Sequence, residues 1–456
     1  MRILLIGRGP PLQPDAEADG FPTYRTWHFL RALLRAGHDV FLVALEPQGQ
    51  AGWKTFRTDG RLYRCLRESE IDADGADRPL RWLDDTQADV VISAGPYLPA
   101  KCAAAMPAGP RVVIDLPGDP IAEAQMKAFA SGDNTPIALS ARVLAGALAR
   151  ADRFTVIGRR QHYALLGELA FMGRMHKETV GIDPVLEVPI AIEARWMDRP
   201  RGRMWNLPPG RREGPRTDRV LWPGSLNTWA DIDTFVEACE FARNRHPGLE
   251  IVLTGGAIRG LTEQRYARLE ERIDQSPHRA GFFLRGKIPE ATLDHLLRTS
   301  AVGVSLDLDC LEAVLGSRTR LLHGLVCGLP WIVTPGPELA DELIAHGLAT
   351  AVPHGQPEAV GETILETLER ERMDGGMASR NEGARQAILR AHSLDRVSAG
   401  LVRYLEDPRP LAPPHDVHQR LIERLQTAER RLAAIHHSIT WRVLSRIHRR
   451  LIRNSD

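Results

Sequence analysis

Short apolar runs alternate with stretches of helical period along most of this chain. Residues 2–7, RILLIG, have the length and composition of a buried strand. After a polar loop, YRTWHFLRALLRAGHDVFLVAL carries Trp27, Leu30, Leu33 and Leu34 at helical spacing. Gly37 then ends the helix, and DVFLVAL reads as the next strand. ADVVISAG, RVVIDLPG and RFTVIG continue the series. The stretch 200–218, PRGRMWNLPPGRREGPRTD, breaks the rhythm with Pro, Gly and charge and reads as a linker. The pattern restarts with RVLWPG (219–224), the helix DIDTFVEACEFARNRH, and strands at EIVLTGG (250–256), GFFLRG (281–286), AVGVSLDL (301–308) and WIVT (331–334). Short apolar strands separated by helices predict parallel sheets covered on both faces, here in two successive α/β units.

The Pro-rich DPRPLAPPHD (407–416) predicts the end of the globular part. Beyond it, Leu421, Leu425, Ala428, Leu432, Ile435 and Ile439 form a short heptad-like seam. Ile439, Val443, Ile447 and Leu451 then make a stripe bordered by Arg442, Arg446, Arg449, Arg450 and Arg453. Such a basic amphipathic segment, 439–453, suits an anionic membrane surface. A helix packed on the body of the protein or on a second copy, giving a homodimer, is the alternative. Charge sharpens the picture. Residues 417–456 carry nine Arg against Glu423, Glu429 and Asp456, or +6, while the rest holds 50 basic and 55 acidic groups, or −5. A basic tail on a mildly acidic body predicts a separate partner for the tail.

Composition adds mainly exclusions. The 43% apolar and 26% charged content is that of a globular chain, and its 456 residues exceed one core. No apolar run reaches membrane-spanning length, and the N-terminal one is too brief for a signal peptide. Cys65, Cys102, Cys239, Cys310 and Cys327 contain no CxxC pair, which predicts neither a disulfide framework nor a zinc site and fits a cytoplasmic setting.

Candidate chemistry concentrates in SRTRLLHGLVCGLPWIVT (317–334), read as a helix that stops at Gly328 and enters a strand. Arg318 and Arg320 fall at the helix start, where the backbone dipole is already positive, so an anion is expected in front of them. Amides at that end with two guanidinium groups suit a phosphate or diphosphate. The competing reading pairs the arginines with Asp307, Asp309 or Glu312. The preceding stretch DCLEAVLGS, read as a loop, offers Asp309 and Glu312 to sugar hydroxyls. In WPGSLNTWAD (222–231), Gly224 permits close approach of the backbone to a ligand. Asn227 or Thr228 is read there as a helix cap, and Trp229 as a pocket wall. VLTGGAIRG lacks both GxGxxG and a Walker lysine. Asp115 and Asp119, in VVIDLPGDP, end a strand and can serve as a base or orient a hydroxyl; Asp119 equally suits the start of an Asp-Pro turn. His28, His162 and His323 show no metal-ligand spacing and read as structural.

Taken together, LWPGSLNTWADIDTFVEA, EIVLTGG and SRTRLLHGLVCGLPWIVT, with YRTWHFLRALLRAGHDVFLV and RADRFTVIGRRQHYALLGEL, resemble the retaining glycosyltransferases of the GT-B fold, family 4, over residues 1 to about 405. The resemblance implies an α/β chain of two facing Rossmann-like domains with a C-terminal helical tail. An acceptor domain would span 1–199 and a linker 200–218. A nucleotide-sugar domain at 219–390 and a crossover helix at 391–407 would follow, then a Pro-rich linker and basic tail at 408–456. It also implies sugar transfer from a nucleotide sugar to a glycan, lipid-linked or secondary-metabolite acceptor. With a lipid-linked acceptor the basic tail would dock the enzyme at the inner membrane face, and with a soluble one it would serve dimerisation or docking. Neither metal, other cofactor nor nucleic acid is expected. Carried over, the donor site comprises the loop Gly224, Asn227, Thr228 and Trp229, a nucleobase path past Arg285, Lys287 and Ile288, and Glu312 to Arg320, including Arg318 and Thr319, at the sugar and phosphates. Asp115 and Glu312 are the catalytic candidates. The family's Arg and Lys are missing from the Gly224 loop. Its glutamate pair would fall on Leu315 and His323, and its frequent first-domain histidine on Asp115. A non-catalytic partner on the same fold, or a nucleotide-sugar epimerase, would share these features.

Overall fold

In the computed structural model, the described residues are 1–9, 21–46, 52–55, 62–67, 86–192, 217–373, 381–406 and 408–415, with a few helical positions between 423 and 434. The basic stripe 439–453 and most of the linker 200–218 lie outside them.

The first domain runs β1 (Arg2–Arg8), α1 (Phe21–Arg35), β2 (Asp39–Glu46), β3 (Gly52–Thr55), β4 (Leu62–Arg67), β5 (Val90–Ala94), α2 (Leu98–Ala104), β6 (Arg111–Leu116), α3 (Pro120–Ser131), α4 (Thr135–Arg150), β7 (Arg153–Val156), α5 (Arg159–Phe171) and β8 (Val185–Glu187). Its strand order is β3-β4-β2-β1-β5-β6-β7-β8, parallel throughout except for the β3–β4 pair. That antiparallel edge has no counterpart in the sequence reading. The second domain runs β9 (Thr217–Trp222), α6 (Ile232–Arg245), β10 (Glu250–Leu253), α7 (Glu263–Gln275), β11 (Phe282–Leu284), α8 (Glu290–Thr299), β12 (Ser300–Ser305), α9 (Leu311–Leu315), α10 (Thr319–Val326), β13 (Trp331–Val333), α11 (Glu338–Ala345), β14 (Ala349–Ala351), α12 (Pro357–Met373), α13 (Glu382–Ala391) and α14 (Leu394–Glu406). Its order, β11-β10-β9-β12-β13-β14, is wholly parallel.

Both sheets are doubly wound, so the central strands are apolar on both faces. Β5 and β12, for example, are buried at every position. Chain order reverses between β1 and β5 in one sheet and between β9 and β12 in the other. In such sheets ligands bind at the carboxyl ends of the strands beside the reversal. The loops after β9 and β12 meet there.

α14 belongs physically to the first domain. Leu401, Tyr404 and Leu405 share a core with Leu30 and Leu33 of α1, and Arg35 reaches Asp395 at 2.9 Å. Residues 408–415, expected to lie in a Pro-rich linker beyond the globular part, are strapped to that domain. Arg174 Nε donates to the Ala412 carbonyl at 3.0 Å, and His415 N to that of Gly173 at 3.0 Å. Leu411 is buried. Among the described residues no helix is long and apolar enough to cross a membrane.

Candidate active site

Three glycine turns form the floor of the second domain's cleft edge. Gly224, Gly255 and Gly286 follow β9, β10 and β11 and all have positive φ. Gly224 N donates to Thr254 Oγ1 at 3.1 Å, Leu226 N to the Gly256 carbonyl at 3.0 Å, and Gly255 N to that of Gly286 at 2.6 Å. A side chain at Gly255 would stand 2.2 Å from the Gly224 carbonyl carbon, so glycine is required there. The turns are thus laced into one backbone surface.

The rest of the Gly224 loop is held from behind. Arg265 of α7 donates to the carbonyls of Asn227, Thr228 and Ala230 at 2.9, 3.1 and 2.6 Å. Burial lowers its pKa. Asp231, not Asn227 or Thr228, caps α6, accepting from Thr234 N at 3.2 Å. The capping expectation is corrected because Asn227 Oδ1 instead accepts from the adjacent Thr228 N. Thr228 Oγ1 and Trp229 Nε1 are buried and have no hydrogen-bond partner among the described residues.

The two arginines of SRTRLL, Arg318 and Arg320, have opposite fates. Arg318, at the N-cap of α10, is 3% exposed. Its Nε donates to both Asp307 oxygens at 3.1 and 2.9 Å, and Nη1 and Nη2 to Glu312 at 3.2 and 2.7 Å. The guanidinium also lies 5.5 Å from the centre of the Trp229 ring. Two carboxylates hold its pKa well above the ordinary value. With its charge already balanced, Arg318 is not available as a phosphate clamp. That expectation gives way to the pairing alternative.

Arg320, two residues on, is half-buried. Among the described residues it makes no hydrogen bond or ion pair. Its guanidinium lies 5.8 Å from the Trp222 ring centre and faces Gly224, where an added side chain would stand 3.7 Å from Cζ. Burial brings its pKa down to about 10. A desolvated cation beside a glycine turn and a helix N-terminus is an arrangement for an anion. Thr319, the first residue of α10, is half-buried next to it.

Glu312 lies on α9, a short helix where a loop was expected. It is buried, with both oxygens taken up by Arg318, so it holds that side chain rather than offering a carboxylate to substrate. Burial is the main cause that pushes its pKa up to about 7. Arg318 opposes this, and Asp307 and Glu123 add to it. Asp115 is likewise corrected. It is 0% exposed, clamped by Arg25 at 2.9 and 2.7 Å, and accepts from Thr155 Oγ1 at 2.6 Å. These bonds make it a core ion pair of the first domain, out of reach of the cleft. Asp119 caps α3 through Ile121 N and Ala122 N at 2.9 and 2.7 Å. Arg285 and Lys287 are exposed and Ile288 half-buried, on the loop after β11 beside the glycine turns.

Across the cleft stand residues that the sequence reading passed over. Tyr97, the N-cap of α2 in the turn after β5, has φ +65, which is strained for a side-chain-bearing residue. Its hydroxyl donates to Glu123 Oε2 at 2.7 Å and accepts from Lys127 Nζ at 2.9 Å. Only the Asp-Pro turn marks this wall in sequence. The two domains also touch directly. Glu338 accepts from Arg159 N and Arg160 N, at the start of α5, at 2.8 and 2.6 Å, and Arg160 reaches Asp341 at 2.7 Å.

Two doubly wound domains, with glycine turns and Arg320 at the switch point of the second, have the architecture of the GT-B fold. Residues 217–370 match the family described as glycosyl transferases group 1. The match covers the second domain and marks the protein as a glycosyltransferase. Sucrose-phosphate synthase from Thermosynechococcus elongatus superposes with a TM-score of 0.65 at 14% identity, covering 89% of this chain and 99% of that one. HepE from Anabaena, in complex with UDP and glucose, gives 0.62 at 12%, covering 89% and 100%. Trehalose-phosphate synthase from Burkholderia xenovorans, in complex with glucose-6-phosphate, gives 0.59 at 14%, also covering 89% and 100%. These similarities establish the fold. No curated protein sequence matches the chain.

Proposed function

We propose that the protein is a retaining transferase that moves a sugar from a nucleoside-diphosphate sugar to a hydroxyl of a glycan, lipid-linked or secondary-metabolite acceptor. The observation that carries this reading is Arg320, a half-buried guanidinium without an ion-pair partner among the described residues, set against Gly224. The Gly224 loop has no cation of its own, so Arg320 would supply the charge that binds the diphosphate and stabilises it as leaving group. The amides at the start of α10, beginning with Thr319, would add to it. Asn227, Thr228 and Trp229 would border the donor, with Thr228 Oγ1 and Trp229 Nε1 as unused polar atoms. The nucleobase would lie along Arg285, Lys287 and Ile288. Arg318, fixed by Asp307 and Glu312, would present its Trp229-covered side as the rigid rear of the sugar pocket.

The acceptor would enter along Tyr97, Glu123 and Lys127, and Glu338 on the α5 amides would favour the closed cleft. In the same reading, the basic stripe 439–453 docks a cytoplasmic enzyme to an anionic membrane surface near a lipid-linked acceptor. The test is thermal stability with UDP, GDP and dTDP and their common sugar conjugates, using wild type and Arg320→Met. One nucleotide family should raise the melting temperature of wild type and fail to do so in the variant. No shift with any of them would overturn the donor-site assignment.

A further inference from the structure

Away from the glycine turns, α10 packs on α8, and there Asp294 meets His323 and Cys327. The latter two stand four residues apart, one turn along α10 and into its C-cap. All three side chains are buried, at 2%, 5% and 8% exposure. His323 Nε2 and Cys327 Sγ each lie 3.4 Å from the same oxygen, Asp294 Oδ1. One ligand atom from each residue falls within 4.8 Å of the other two.

The spacing is informative. An N–H···O bond prefers about 2.9–3.0 Å, so the histidine contact is long for one. A tetrahedral ion with nitrogen and oxygen ligands at about 2.0–2.2 Å and sulfur at about 2.3 Å separates those ligands by roughly 3.3–3.7 Å. Both measured contacts fall in that interval. Arg298 completes the arrangement from outside. Its Nε holds Asp294 Oδ2 at 3.0 Å, while Nη2 lies 3.4 Å from Oδ1. A carboxylate ligand is commonly oriented this way, with one oxygen toward the ion and the other held by a neighbour. His323 stands where the family resemblance would place a glutamate, and here that position faces α8.

We propose that Asp294, His323 and Cys327 form a binding site for a divalent ion of the zinc class, tying α8 to α10. One carboxylate oxygen, one imidazole nitrogen and one thiolate select a borderline ion over the oxygen-seeking magnesium or calcium. Binding forms a metal–sulfur bond and releases the Cys327 thiol proton to solvent; neutral His323 contributes its Nε2 lone pair. The ion would fix the helix that begins beside Arg320. The site does not depend on the proposed sugar-transfer reading, because the ion is neither donor nor acceptor.

The experiment uses full-length protein stripped by a chelator and titrated with Co²⁺, then with Zn²⁺. One equivalent of cobalt should produce a thiolate-to-metal charge-transfer band in the near ultraviolet, and zinc should abolish it. Cys327→Ser should lose the band, and Asp294→Asn should weaken zinc binding by about 10-fold or more. Cys310→Ser should keep the band, excluding the half-buried cysteine as its source. Folded wild-type protein that gives no thiolate band at saturating cobalt would overturn the proposal. So would a band that survives in Cys327→Ser.

Discussion

Replacing Arg318 with methionine isolates the electrostatic centre of the second domain. The substitution preserves much of the side-chain volume but leaves Asp307 and Glu312 facing each other, buried, without the cation that joins them. Removing one partner of a buried ion pair costs about 3–5 kcal/mol, mainly through the charge left uncompensated. For a domain near 155 residues, each kcal/mol lowers the melting temperature by about 2–4 °C, so the expected fall is about 6–20 °C. The pH dependence identifies the cause. In wild type burial raises the Glu312 pKa from the ordinary 4.5 to about 7. The folded state therefore binds more protons than the unfolded one between those values, and this group's contribution falls as pH rises through that window. Losing Arg318 removes the group that opposes this shift and drives the folded pKa higher. The deficit of Arg318→Met should thus be largest at pH 8 and shrink toward pH 5, as the stranded carboxylates take up protons. Thermal melts of both proteins at pH 5, 6.5 and 8, followed by intrinsic fluorescence, make the comparison. A variant melting within about 2 °C of wild type at pH 8 would refute the reasoning, as would a deficit that grows on acidification.

Arg320→Met should behave in the opposite way. It removes an unpaired, desolvated cation, so the melting temperature should hold or rise, while affinity for the nucleoside diphosphate falls about 10–100-fold, read by calorimetry. Gly255→Ala places a methyl group 2.2 Å from the Gly224 backbone at a φ of +92. It should cost about 1–3 kcal/mol of strain and abolish nucleotide-induced stabilisation in the same melts. Glu338→Gln weakens the charge on the α5 amides, worth about 0.3–1 kcal/mol at an exposed helix start. Small-angle scattering should then show a larger radius of gyration than wild type without ligand, and an unchanged radius would discount the contact as a latch.

Much of the architecture was legible in the chain because buried parallel strands must be apolar on both faces. RILLIG, VVIDL and AVGVS announce themselves without reference to anything distant. The glycine turns were legible for a related reason. Gly224, Gly255 and Gly286 follow strand runs, and the backbone there must take positive φ. Even the question posed by Arg318 and Arg320 was set by local rules, since cations at a helix start need a counter-charge. Tertiary structure decided its answer. Asp307 and Glu312 sit 11 and 6 residues before Arg318, and only the fold of α9 brings both onto one guanidinium and leaves Arg320 turned to Gly224. The same holds for Asp115, whose place at a strand end suggested the cleft. Its burial follows from Arg25, 90 residues away. Sequence determines which elements form, because propensity and periodicity act over a few residues. Which charges remain available for chemistry depends on long-range pairing, which no local pattern encodes.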